Sequence, residues 1–101
     1  EAAAVRLADD VADYVVALVR ATRVTPDLAL GASPRAAVML GVAARAQAAL
    51  EGRDYTIPDD VKLLAAPLLR HRVALSAAAA IEGKPVDAVV RQLIDEVAAP
   101  R

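Results

Sequence analysis

The chain has 101 residues, enough for one domain's core; 57% are hydrophobic but only 2% aromatic, and alanine supplies much of the apolar share. Alanine is the strongest helix former and buries little area, so this composition favours closely packed helices over a sheet sandwich. The 12 Lys and Arg against 13 Asp and Glu leave a net charge of −1, with no cationic field for nucleic-acid phosphates. The absence of cysteine excludes disulfides and thiolate chemistry and fits a reducing, cytoplasmic compartment. No apolar run approaches a membrane span or a signal peptide.

The first helix is predicted over residues 9–23. Val11, Tyr14, Val15, Leu18 and Val19 recur at helical spacing, with Asp10, Asp13 and Arg20 on other faces. Asp9 and Asp10 suit the positive N-terminal end, and Arg20 and Arg23 suit the other. Pro26 and Gly31 make residues 24–32 a connector. Ser33-Pro34 opens the second helix, since a serine hydroxyl can cap a free amide and proline at the first helical position loses no hydrogen bond. That helix runs to Glu51 and stops at Gly52, with Ala37, Leu40, Gly41, Ala44 and Ala48 forming a small-residue stripe that lets a neighbour approach closely.

Pro58 opens the third helix, with Asp59 and Asp60 in its first turn and Val61, Leu64, Ala65 and Leu68 toward the core. Ile57 cannot cap it, so Asp60 is expected to reach back to a free amide. Pro67 predicts a kink or break near Ala66 and a short continuation to Arg72. Residues 73–75 read as extended and able to pair with residues 28–30, and Ser76 as the cap of a short helical turn before Gly83. The fourth helix opens at Pro85, with Val86, Val89, Val90, Leu93, Ile94 and Val97 in one apolar stripe. The expected fold class is all-α, a compact four-helix bundle with one very short extended pairing, and the chain, which opens at Glu1 without methionine, is read as a piece of something longer.

Most active-site constellations are missing. Gly83-Lys84 is followed by proline and fails as a phosphate-cradling loop, and His71 has neither a cysteine nor a second histidine as a metal partner. The acid pairs Asp9-Asp10, Asp59-Asp60 and Asp95-Glu96 read as solvated helix ends or faces, and Tyr14 and Tyr55 as half-buried packing residues whose hydroxyls reach water or backbone. Arg35 departs from this pattern. It stands in the first turn of the second helix, where the helix dipole opposes a positive charge, and free amides with a guanidinium there would together receive a phosphate oxygen. Arginines also stand in first turns for packing or solubility.

Residues 31–36, Gly-Ala-Ser-Pro-Arg-Ala, resemble the sensor 2 motif of MoxR-type AAA+ ATPases. Residues 13–23 resemble the helix before that motif, residues 44–62 the following helix, the Gly-Arg-Asp-Tyr loop and the next helix start, and residues 68–73 the segment after the kink. The resemblance implies that residues 1–101 are a C-terminal lid domain. Arg35, positioned by Ser33 and Pro34, would reach the terminal phosphate and couple ATP binding and hydrolysis to lid movement, in cis or in trans. ATP and Mg2+ would be held by an upstream P-loop domain and not by this piece, which has no catalytic residue of its own. Arg23, Arg70 and Arg72 are expected either at an interface or as helix-end charges. The implied partners are the P-loop domain, neighbouring subunits of a ring, commonly a hexamer, and proteins with von Willebrand factor A domains, in chaperone-like remodelling or enzyme maturation. Neither nucleic acid, membrane nor a metal of its own is expected. The alternative is a helical protein-interaction module with no nucleotide role; a DNA-binding helix-turn-helix is disfavoured by the charge and by faces lacking base-reading side chains.

Overall fold

The computed structural model describes residues 5–100. In chain order these form α1 (Asp9–Val24), β1 (Leu28–Leu30), α2 (Pro34–Leu50), α3 (Pro58–Leu69), β2 (Ala74–Leu75), α4 (Ala77–Ile81) and α5 (Val86–Glu96). The fold is all-α, four main helices with α4 as the short turn anticipated after Ser76, whose hydroxyl accepts the Ala79 N–H at 3.2 Å. The expected pairing is present: β1 and β2 run antiparallel with Leu28 opposite Leu75 and Leu30 opposite Ala74. Lys84, at 3.1 Å from Asp27, ties the α4–α5 turn to the start of this ribbon. Among the described residues no helix is long and apolar enough to cross a membrane.

The small-residue stripe sets the packing. Leu40, Gly41, Ala44 and Ala48 of α2 are buried as expected, but Ala36 rather than Ala37 heads the buried stripe, and α2 makes its most extensive contact with α3, then with α1. Short side chains on this face let the helix axes come together without voids. Tyr14, Leu18, Leu40 and Leu69 are the bulkiest side chains buried between these helices, and α5 closes the core through Val90 and Ile94.

The segment before α1 belongs to the same body. Val5 is buried, and Arg6 forms a parallel bridge with Tyr55 in the α2–α3 loop. The Arg6 N–H donates to the Asp54 carbonyl at 2.9 Å and the Thr56 N–H donates to the Arg6 carbonyl at 3.1 Å. Leu7 lies over Gly41, where an added Cβ would meet its Cδ2 at 3.5 Å.

Gly52 ends α2 in the left-handed region at φ +77°, and the amides of Gly52 and Arg53 return to the carbonyls of Ala49 and Ala48. Nothing lies within 4 Å of a Cβ at Gly52, so only the backbone demands glycine. Gly52→Ala is therefore expected to lower stability by about 1–2 kcal/mol, with Gly52→Asn costing less, as read from urea unfolding midpoints.

Four further expectations need correction. Pro67 does not break α3, which stays continuous to Leu69. Proline there is only two residues from the end, and the carbonyl left without an intrahelical donor is that of Leu63, on the exposed side. Ser33 occupies the N-cap position of α2 but its hydroxyl makes no cap bond; its carbonyl accepts the Ala36 N–H at 2.9 Å instead. Asp60 is not a solvated acid, being 2% exposed. Tyr14 is not half-buried: it is enclosed between helices with its hydroxyl unpartnered among the described residues, and burial, followed by the nearby charges of Asp95 and Asp59, pushes that hydroxyl's pKa up.

Candidate nucleotide-facing site

Arg35 is exposed, one residue into α2, between Ala32 and Ala36, both of which are fully buried. The first turn of α2 contains no acidic residue, whereas those of α1, α3 and α5 carry Asp9 and Asp10, Asp59 and Asp60, and Asp87. The positive end of the α2 dipole and the guanidinium therefore add at one point without a neutralising carboxylate in that turn. Among the described residues Arg35 forms no ion pair. The amides contribute less than the sequence suggested, because Pro34 has no N–H and that of Ala36 is held by Ser33. The guanidinium is the principal receptor group, a planar fork of donors suited to phosphate oxygens.

The direction from which Arg35 leaves the fold is set by the last turn of α1. The buried Thr22 hydroxyl donates to the Val19 carbonyl at 2.6 Å and accepts the Ala32 N–H at 2.9 Å. Gly31 presses against the same turn: a Cβ there would lie 2.6 Å from the Thr22 carbonyl oxygen and from the Arg23 Cα. Glycine is required by this contact, not by its backbone angles. Arg23 is exposed and its Cγ would stand 2.7 Å from that Cβ, so its stem runs over the segment leading to Arg35. Neither Thr22 nor this use of Gly31 was read from the sequence, where the only signal was a polar residue on the buried face of a helix's last turn.

The other candidates separate. Arg72 is exposed and, like Arg23, forms no ion pair among the described residues, whereas Arg70 bonds Asp87 at 3.3 Å across two exposed side chains. Such a surface pair contributes little, roughly 0–1 kcal/mol.

A second polar node sits at the opposite end of α2. Arg53 grips Asp60 with two bonds, Nη2 to Oδ1 at 2.6 Å and Nη1 to Oδ2 at 2.8 Å, and also reaches Glu51 at 2.6 Å and the Tyr55 carbonyl at 3.0 Å. Its guanidinium lies 5.9 Å from the centre of the half-exposed Tyr55 ring. Asp60 also accepts the Ile57 N–H at 2.8 Å, the reach-back anticipated for a helix whose N-cap is an isoleucine. The Arg53 hydrogen bonds hold the Asp60 carboxyl below its usual pKa, against the raising effect of burial. This node fixes the loop on which Arg6 is paired, so it secures the incoming chain and takes no part in the Arg35 surface.

Comparison with known proteins places this geometry. Residues 20–93 match the model of the AAA lid domain family. The chain is 43% identical over 96 residues to YeaC of Bacillus subtilis, a protein of uncharacterised function, covering 95% of this chain and 30% of that one. It is 39% identical over 98 residues to chaperone MoxR1 of Mycobacterium tuberculosis, covering 88% of this chain and 26% of the relative. A crystal structure of a proposed ATPase from Cytophaga hutchinsonii superposes with a TM-score of 0.90 at 28% identity, over 99% of this chain and 33% of that one. The chain thus spans no more than about a third of the length of these relatives. The matched stretch includes the last turn of α1, the Gly31 segment and Arg35, and with nearly all of this chain superposing on part of a proposed ATPase it leads to one assignment: this chain belongs to the AAA lid domain family and is the lid of a MoxR-type AAA+ ATPase.

Proposed function

We propose that Arg35 is the sensor 2 arginine of this lid, contacting the terminal phosphate of ATP held by a P-loop domain elsewhere in the parent chain. The observation that carries the reading is an exposed guanidinium with no ion pair among the described residues, on a helix start free of acids in its first turn and bracketed by two buried alanines. Phosphate contact supplies what that position lacks, a negative charge at the positive end of a dipole. A contact stronger with ATP than with ADP would convert hydrolysis into a change of lid orientation, by no more than the difference in affinity. The Mg2+ ligands and phosphate cradle belong to the P-loop domain in this reading.

The parent is proposed to assemble as a ring, most simply a hexamer, in which Arg23 and Arg72 are available to an adjoining domain or subunit and Arg70 is partly engaged by Asp87. Chaperone-like remodelling, of the kind the name of the Mycobacterium tuberculosis relative denotes, is the proposed use of the cycle, with von Willebrand factor A proteins as accessory partners. One observation favours the alternative of an interaction module without a nucleotide role: Val38 and Val42, about one and two turns beyond Arg35 on α2, are 68% and 53% exposed.

Lid deletion separates the two. The 101-residue chain alone is expected to show no ATP turnover, and the parent without it to lose its preference for ATP over ADP in equilibrium binding. An unchanged preference would favour the interaction module, and turnover by the isolated chain would contradict the assignment of chemistry to the upstream domain.

A further inference from the structure

We infer that Thr22 is a positioning residue for Arg35, setting the strength of its phosphate contact from the last turn of the preceding helix. The inference rests on the sensor 2 reading and extends it to a side chain that does not itself reach the nucleotide. Ala32 is the last fully buried residue before Arg35, and its N–H is held by the Thr22 hydroxyl at 2.9 Å. That hydroxyl has no rotational freedom left, because its own proton is directed to the Val19 carbonyl at 2.6 Å. Gly31 brings the segment so close to the Thr22 carbonyl and Arg23 Cα that a methyl group would displace it. Between this clamp and the buried Ala36 only Ser33, Pro34 and Arg35 are exposed, and proline fixes one of the intervening torsions. A guanidinium at the end of a long side chain amplifies small rotations at its Cα, so a shift in the Ala32 segment displaces it from a phosphate held by another domain.

A purely structural hydroxyl would lower stability without touching nucleotide discrimination; a positioning one changes both through Arg35. The test uses the full-length parent and compares Thr22→Val, which keeps the shape and removes both bonds, Thr22→Ser, which keeps the hydroxyl, Gly31→Ala, which moves the segment without removing a hydrogen-bonding group, and Arg35→Ala. The expected result is a several-fold loss of the ATP-over-ADP affinity ratio in Thr22→Val and Gly31→Ala, recovery in Thr22→Ser, and a Thr22→Val/Arg35→Ala double variant no worse than Arg35→Ala alone. Independent, multiplying effects in the double variant would overturn the positioning role, as would an unchanged ratio in Thr22→Val beside a reduced one in Arg35→Ala. An Arg35→Ala ratio equal to wild type would instead remove the sensor 2 reading, and this inference with it. Loss of native helicity in both Thr22→Val and Gly31→Ala, read by far-UV circular dichroism, would make the clamp structural only.

Discussion

In the intact ATPase, Arg35→Ala is expected to weaken ATP relative to ADP by roughly 10- to 150-fold, the equivalent of about 1.5–3 kcal/mol for one hydrogen bond to a charged group. The loss should appear in kcat or in nucleotide-dependent assembly, with the fold intact. Arg35 is exposed and unpaired among the described residues, so its removal leaves no buried partner orphaned inside the lid. Arg35→Lys should recover only part of the effect, since an ammonium keeps the charge but not the planar fork. Equilibrium binding of the two nucleotides, with far-UV circular dichroism as the fold control, measures it. Wild-type discrimination together with wild-type assembly in Arg35→Ala would take this side chain out of the mechanism. A large loss of helicity would instead show that Arg35 has a packing role that its exposure contradicts.

Much of this was legible in the sequence because it is local. Ser33-Pro34 before an apolar run, Gly52 after it and Pro58 with acids behind it each specify a helix end by backbone chemistry within a few residues, and the helix ends lie where these marks stand. The return of Asp60 to the Ile57 amide followed from the same logic, since an isoleucine N-cap leaves an amide for the third helical residue. What escaped depends on pairs distant in sequence or on which of two like neighbours turns inward. Asp59 and Asp60 look alike in the sequence, yet only Asp60 faces Arg53, because Gly52 reverses the chain and delivers that guanidinium to one side of α3. Thr22 and Ala32 are ten residues apart across a connector, and their bond depends on the path of that connector, including the close Gly31 contact. Pro67 still removes the donor to the Leu63 carbonyl, but that carbonyl lies on the exposed side of α3 and only two residues follow the proline, so the helix continues to Leu69 where the pattern alone predicts a break. Tyr14 followed the apolar stripe further than its hydroxyl suggested.

The Arg53–Asp60 node should dominate the stability of the lid on the acid side. Asp60→Ala removes two charge-assisted bonds and the acceptor for the Ile57 amide, and an expected cost of about 2–4 kcal/mol follows. For a domain of this size that corresponds to a fall in Tm on the order of 10–20 °C. The native Asp60 carboxyl titrates below its unfolded value, first because Arg53 hydrogen-bonds it and then because the Ile57 amide does. Its contribution is therefore complete above the unfolded aspartate pKa of about 3.9 and is lost as pH falls through the lower native one. Urea midpoints taken from pH 6 down to pH 2 should decline in the wild type across that acid window. In Asp60→Asn, which can still accept the Ile57 N–H but carries no charge to titrate, the curve should start lower and fall less steeply. A residual slope is expected from Glu51, whose pKa is lowered first by Arg53 and then by Gln47. A wild-type slope in Asp60→Asn would mean that other carboxylates govern acid unfolding. The consequence reaches beyond stability, because the loop that this pair fixes also holds Arg6 of the incoming segment. Releasing Asp60 should therefore loosen the pairing of Arg6 with this loop, seen as faster amide hydrogen exchange at Arg6 and Thr56 than in the wild type.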